Sequence, residues 1–308
     1  MLEKFKENLR VERWKDTPFR EILAIDWQAA PEVESSAPIN ALLPEESVII
    51  PIVNGVIANR WIDDKQLPGG LLLHAEGRKV AITLVKESLI ERPIVFYLEH
   101  NAKEPLHFSP EITVKAEAGS RASFMMIEAG EGQYLTTPKV RVDVEKSAHI
   151  EWIRTSINSD SAYSVVDFKA NQAEESHFHL VSYQSRTKLS RLYARMEVNG
   201  EEAFTKLDGL NIGIERQHLA HVIDMAHMVP NCSSEQQIKN IIKDRAVALF
   251  DGEIYVNKDA QKIDADQMTR SLILDDGART LTIPRLEIYA DDVQCTHGAT
   301  VGFIEKSH

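Results

Sequence analysis

Between residues 112 and 209 the chain repeats one unit four times: an alternating strand, a polar turn, and a second alternating strand. The units read ITVKAEAGSRASFMMIEA, VRVDVEKSAHIEWIRTSI, VVDFKANQAEESHFHLVSY and ARMEVNGEEAFTKLDG, with turns centred near Gly119, Ser147, Glu174 and Gly200. The period is roughly 25 to 28 residues, within the range of stacked repeats. A unit of this size leaves apolar side chains that only the next unit can cover, which makes a β-solenoid the natural solution. A sandwich of short antiparallel strands accounts for the same alternation. Glycine is scarce, at 14 residues, so no train of Asn-Gly hairpin turns supports the sandwich. The expected fold is mainly β, a parallel β-helix with short N-terminal helices.

The period-two pattern extends on both sides of the repeats, from VAITLVKE and IVFYLEH to PRLEIYADD. Ahead of it, Leu2, Phe5 and Leu9, then Phe19, Ile22 and Leu23, stand at helical spacing. This predicts two short helices split at Asp16–Thr17–Pro18, with Asp16 or Thr17 as the cap and Pro18 opening the second. The stretch PEVESSAPINALLPEES reads as a linker. The expected division is a helical segment and linker over 1–48 and a β-helix core over 49–308, with the helices beside the solenoid or mobile rather than stacked in it.

Lys and Arg number 35 against 47 Asp and Glu, a formal charge of −12. An acidic chain with no long basic run is not drawn to phosphate backbones, so nucleic acid is not an expected partner. At 43% hydrophobic and 27% charged the composition is that of a globular protein. No stretch approaches the roughly 18 to 20 apolar residues of a membrane span. MLEKFKENLRVERW lacks the apolar segment of a signal peptide, and two cysteines, Cys232 and Cys295, fit a reducing cytoplasm. Two cysteines also cannot build a four-cysteine zinc or iron–sulfur site within one chain. The phosphate-binding loop, GxGxxG, HExxH, GxSxG and CxxC are all absent, so ATP hydrolysis by the chain alone is not expected.

Polar chemistry gathers at four places. His177 and His179 flank Phe178 and share a strand face, but no third metal ligand is named, and a solvated strand face is the preferred reading. His218, His221 and His227 stand near Cys232 at spacings that match no standard zinc finger, so structural roles are preferred. Residues 241–274 read as a strand, a tight turn at Asp251–Gly252, a second strand and a polar loop, as in one solenoid coil. In PRLEIYADDVQCTHGATVG, Leu286, Ile288 and Ala290 alternate with Glu287, Tyr289 and Asp291. Further on, Cys295 and His297 are two apart, so thiol and imidazole face one side of an extended backbone. With Asp291 and Asp292 upstream they form a partial metal site, two good donors where an iron–sulfur cluster takes about four. Either a partner chain supplies the rest or there is no site; in the second case His297 supports a sharp turn at Gly298.

At these residues the sequence resembles the SufB/SufD family of iron–sulfur cluster assembly proteins, and its SufD branch in particular. PRLEIYADDVQCTHGATVG is similar to the family signature. HMVPNCSSEQQIKNIIKDRAVALFDGEIYVNKDAQKIDADQ resembles the family's histidine, serine and glutamine spacing ahead of an F-x-G-x-I-x-V strand. ERWKDTPFREI resembles the tryptophan and threonine-proline pattern near SufD N-termini. Arg285, Gln294 and Thr296 stand where the family usually has Gln, Lys and Ser. DQMTRSL lacks the reactive cysteine that the SufB branch carries in this segment, which favours SufD.

The resemblance implies a right-handed parallel β-helix and a non-catalytic, cytoplasmic scaffold subunit. Its implied partners are a SufB-like subunit, or itself as a homodimer serving for both branches, and the ABC-type ATPase SufC. In the family the C-x-H-G-A-T histidine lies at the subunit interface and is implicated in cluster binding, a role that falls here on His297 with Cys295 beside it. No cofactor is then expected on the isolated chain, and a transient iron–sulfur cluster would sit at an interface with a partner subunit. Family members continue into a C-terminal helical segment that docks SufC, whereas the sequence here ends at His308 without one, so that contact is not expected by this route. The alternative from another class is a β-helical carbohydrate-active protein, which needs a carboxylate cluster on an exposed groove.

Overall fold

The computed structural model describes residues 3, 5, 12–33, 43–44, 46–62 and 67–304. Its strands form two parallel ladders that wind into a β-solenoid of about eight turns. One ladder stacks β2 (Val48–Val53), β6 (Leu89–Phe108), β8 (Arg121–Thr136), β10 (His149–Ser156), β12 (His177–Ser185), β14 (Phe204–Gly213), β16 (Ser233–Ile242), β18 (Ile263–Ile273) and β20 (Val293–Phe303). The other stacks β5 (Lys79–Leu84), β7 (Glu111–Ala116), β9 (Lys139–Val144), β11 (Tyr163–Gln172), β13 (Leu189–Val198), β15 (His218–His227), β17 (Val247–Val256) and β19 (Arg279–Ile288). At the N-terminal end β3 (Val56–Ile57) and β4 (Leu71–Glu76) pair antiparallel with β2 and β5, and β1 (Gln28–Ala29) adds to β6.

The repeat read from the sequence is a turn of this solenoid, slightly lengthened. Facing residues are 28 apart early in the stack, as at Ser123 and Glu151, and 30 apart late, as at Asp266 and Thr296. Glycine is scarce because all but one of a line of corners do without it. Glu87, Gly119, Ser147, Glu175, Glu202, Asn231 and Lys262 stand at equivalent corners, all with φ between 55 and 71°. Left-handed backbone costs a residue with a Cβ roughly 1 to 2 kcal/mol. Six of these corners are held by a backbone bond to the next turn, such as Ser147 N–H to Glu174 O at 2.9 Å and Glu175 N–H to Glu201 O at 2.8 Å.

Alternation sends every second side chain inward, where aliphatic and aromatic residues stack rung upon rung. Phe124 and Trp152 stack at 5.3 Å and Phe96 and Phe124 at 6.1 Å. Polar side chains also face inward, and they are linked. Arg154 and Glu128, both without solvent exposure, pair at 2.7 Å, and Ser164 Oγ–H donates to Glu128 at 2.8 Å. Gln184 donates to Asn211 at 3.1 Å, Asn211 to Asn240 at 2.8 Å, and Asn240 to Ser271 at 2.9 Å. A buried charge is tolerable only with such partners.

The N-terminal segment lies beside the solenoid. Phe5, Trp14, Phe19, Ile22 and Trp27 form one apolar cluster with Leu135, Tyr163, Val165 and Leu189 of the ladders. Buried Arg191 ties it down, donating to Thr17 Oγ1 at 2.6 Å and Arg13 O at 2.8 Å. Arg13 in turn reaches Asp224, Asp251 and Glu253. Helices run over Glu12–Lys15 and Phe19–Leu23, but the expected capping is not seen. Pro18 itself takes the N-cap position, with no side-chain cap, because the Thr17 hydroxyl is engaged by Arg191. Leu2, Leu9 and most of the expected linker lie outside the described residues. Among those residues no helix is long and apolar enough to cross a membrane.

A second correction concerns Asp251–Gly252, which is the middle of β17 and not a turn. Asp251, 2% exposed, pairs with Arg285 and with Arg13, contacts that bring together residues far apart in sequence. Gly252 faces inward, where a Cβ would lie 2.3 Å from Gln267 Nε2.

Candidate functional site at the open end of the solenoid

The last turn is left uncovered. Among the described residues β19 pairs only with β17 and β20 only with β18, so each offers one free edge. The two edges differ. Along β19 the N–H groups of Arg279 and Tyr289 donate to β17-side carbonyls, at Ala246 and Val256. Because bonding direction alternates along a parallel strand, Pro284 turns its missing N–H to the free edge, where proline is tolerated. Along β20 the even-numbered residues face β18, as Ile304 N–H to Ile273 O at 3.2 Å shows. The free edge of β20 therefore carries the backbone donors and acceptors of Cys295, His297, Ala299, Val301 and Phe303, with no proline among them.

The side chains of the same residues continue the inward columns. Cys295 sits above Ala122, Ile150, Phe178, Thr205, Ser234 and Ala265, and His297 above Phe124, Trp152, Leu180, Leu207, Gln236 and Gln267. Every residue beneath them is buried, whereas Cys295 is half-buried and His297 exposed. They are accessible because, among the described residues, no further turn covers them. Burial, with a smaller contribution from Asp264, pushes the Cys295 thiol pKa up, so the thiol rather than the thiolate is present at neutral pH. Cys232 is buried and also raised by burial, its Sγ–H directed at Gly200 O and Pro230 O, 3.2 Å from each.

The expected same-side placement of thiol and imidazole is therefore present, but the carboxylates do not complete it. Asp291 and Asp292 are exposed, and among the described residues no group of three or more His, Cys, Asp or Glu side chains is arranged to hold a metal. Gly298 lies within β20, not at a turn; a Cβ there would stand 2.8 Å from Met268 Cε. Beneath His297 lies a residue that the motif reading did not single out. Gln267, 1% exposed, donates to Gln236 Oε1 at 3.3 Å and keeps an unpartnered Oε1.

His149, His177, His179, His221 and His227 have partners within the fold. His179 Nε2 meets Asp208 Oδ2 at 2.8 Å on an outer face, and the His149 and His177 rings stack at 5.2 Å. His221 and His227 face inward and bond Ser182 and Ser234, each at 2.9 Å. A groove along one line of corners, about 580 Å³, does carry Asp143, Glu145, Glu174 and Glu201. Lys115 pairs with Glu145 at 3.1 Å and Lys146 with Glu174 at 2.8 Å, while Asn171 donates to Asp143 at 2.6 Å and Asn231 to Glu201 at 3.0 Å, which does not favour glycosidic chemistry.

Fold and site together define a β-solenoid with one unfinished end that carries a thiol and an imidazole. Residues 98–308 match the SufBD core domain of the SUF system FeS cluster assembly, and the chain belongs to that family. It is 24% identical to an iron–sulfur cluster assembly SufBD family protein of Synechocystis, over 96% of this chain and 76% of the relative. It is 30% identical to the chloroplastic protein ABCI7 of Arabidopsis thaliana over 64% of this chain, and 25% identical to the iron–sulfur cluster assembly protein SufD of Escherichia coli over 65%. These matches take in 42% and 47% of those two relatives' lengths.

Proposed function

We propose that the chain is a SufD-like scaffold subunit of iron–sulfur cluster assembly, pairing through β20 with a SufB-like subunit or with a second copy of itself. The observation that carries this reading is the position of Cys295 and His297, an incomplete donor set on the proline-free open edge of a SufBD-family chain. A strand edge with unpaired donors and acceptors is a template for another strand. Strand addition would bring a second chain's donors to the same mouth.

The nascent cluster is cargo in this reading. A neutral imidazole is a good ligand for iron, and Cys295 becomes one when a nearby cation draws off its raised-pKa proton. The chain carries no phosphate-binding loop, so nucleotide hydrolysis falls to an ABC-type ATPase partner of the SufC kind, in the cytoplasm. The test is anaerobic reconstitution with iron and sulfide in the presence of the partner subunits. His297→Ala should leave melting temperature and assembly state unchanged and lower the cluster absorbance. Wild-type rate and yield in that variant would refute the ligand role.

A further inference from the structure

A separate feature lies on the outer face, away from Cys295 and His297. Between the N-terminal segment and the outer side of β13, β15, β17 and β19 there is a cleft of about 400 Å³, within the size range of small-molecule sites. Lys15, Lys188, Arg216 and Arg279 line it against Asp16 and Glu21 only, on a chain whose net charge is −12. Lys188 is partly engaged, 3.7 Å from Glu21. Arg216 and Arg279 are exposed, and among the described residues neither guanidinium has a hydrogen bond or ion pair. His218 also lines the cleft. It is 7% exposed, and its buried Nε2 has no partner. With its proton on Nε2, the neutral ring lacks an acceptor there, at a cost of roughly 1 to 3 kcal/mol. Leu189, Val247 and Leu281 supply an apolar wall, with Leu281 39% exposed.

We infer that this cleft binds an organic phosphate monoester, with its dianion held by Arg216, Arg279 and a ring N–H of His218, and its apolar body against Leu189, Val247 and Leu281. Unpaired guanidinium forks match phosphate oxygens in geometry, and the surplus of cations over carboxylates suits a dianion better than a monoanion. Inorganic phosphate would leave the apolar wall and most of the cleft in water. Burial and the nearby Arg191 hold His218 neutral, with a pKa of about 4, so it meets the ligand as a neutral donor. A bound dianion favours the imidazolium and raises that pKa.

The inference does not depend on the scaffold role, and calorimetry on the intact chain tests it with phenyl phosphate, inorganic phosphate and benzoate as probes. Phenyl phosphate should bind at one saturable site, more tightly than either of the others. The double variant Arg216→Ala/Arg279→Ala should weaken it at least about tenfold, with an unchanged melting curve because both side chains are exposed and unpaired. In nitrogen-15 NMR the His218 ring pKa should rise on saturation with phenyl phosphate. No saturable binding, or undiminished affinity in the double variant, overturns the site. Inorganic phosphate binding as tightly overturns the organic ligand, and benzoate binding as tightly overturns the dianion.

Discussion

Cys232 and Cys295 place the same side chain in two different settings. Cys232 is 2% exposed inside the stack, and Cys295 is half-buried at its mouth. In the folded chain one thiol should therefore react with a disulfide reagent, and the second only in denaturant. Since burial raises the Cys295 pKa, its rate should keep climbing beyond pH 9 rather than level off near 8.5, the usual value for a free thiol. Cys295→Ser should remove the fast phase; two fast thiols, or a plateau near neutral pH, would contradict the placement. Arg154 offers a sharper energetic test. Arg154→Met leaves Glu128 buried without its partner and should destabilise the fold by about 3 to 5 kcal/mol in urea titration. Adding Glu128→Leu should restore much of that loss.

The two edge strands are where elements, not single residues, decide behaviour. Ala299→Pro removes an N–H from the free edge of β20 and none from the bonds to β18. It should abolish pairing with a second subunit in light scattering while changing the melting temperature only slightly; retained pairing would exclude β20 as the docking strand. At this scale the sequence reading succeeds where side chains alternate and fails where distant partners intervene. The strand–turn–strand units from Ile112 to Gly209 are legible because inward and outward positions differ in polarity. Asp251–Gly252 has the composition of a hairpin turn, yet Arg13 and Arg285, remote in the chain, pin Asp251 in a strand. The cap expected at Thr17 is lost to Arg191, a contact no local window contains. Cys295 and His297 are legible as a same-side pair, but their exposure reflects that no described residue covers them, which alternation alone does not reveal. Gln267 and the polar interior are similarly hidden, because alternation gives a residue's side and not what it meets there.

At the scale of the whole molecule, acid should be the weak point. His100 and His221 are held neutral by burial, with pKa values of about 3, and His218 and His227 at about 4, against an ordinary 6.5. Their folded pKa values lie below the unfolded value, so the unfolded chain binds more protons once pH falls under 6.5. Stability is full above that point and is lost on acidification, by about 1.4 kcal/mol per pH unit for each histidine. By pH 5 the four together remove on the order of 8 kcal/mol, comparable to the entire stability of many domains. Thermal melts should show a steep fall between pH 6.5 and 5; a flat profile would mean these rings are hydrated.

A stack of similar turns has an error open to it that other folds lack, since the chain can close one turn too early or too late. Apolar columns do little to prevent this, because neighbours such as Ala122 and Phe178, on either side of Ile150, have no charge or hydrogen bond to match. The Glu128–Arg154 pair can prevent it, because a slip by one turn parts the two charges and leaves both buried alone. The chain thus carries an internal proofreading mark: only one alignment neutralises its interior. With the mark erased in Glu128→Leu/Arg154→Met, a stable protein should remain, but one that refolds into a mixture resolvable on a native gel, and a single refolded species would show that the corners alone keep count.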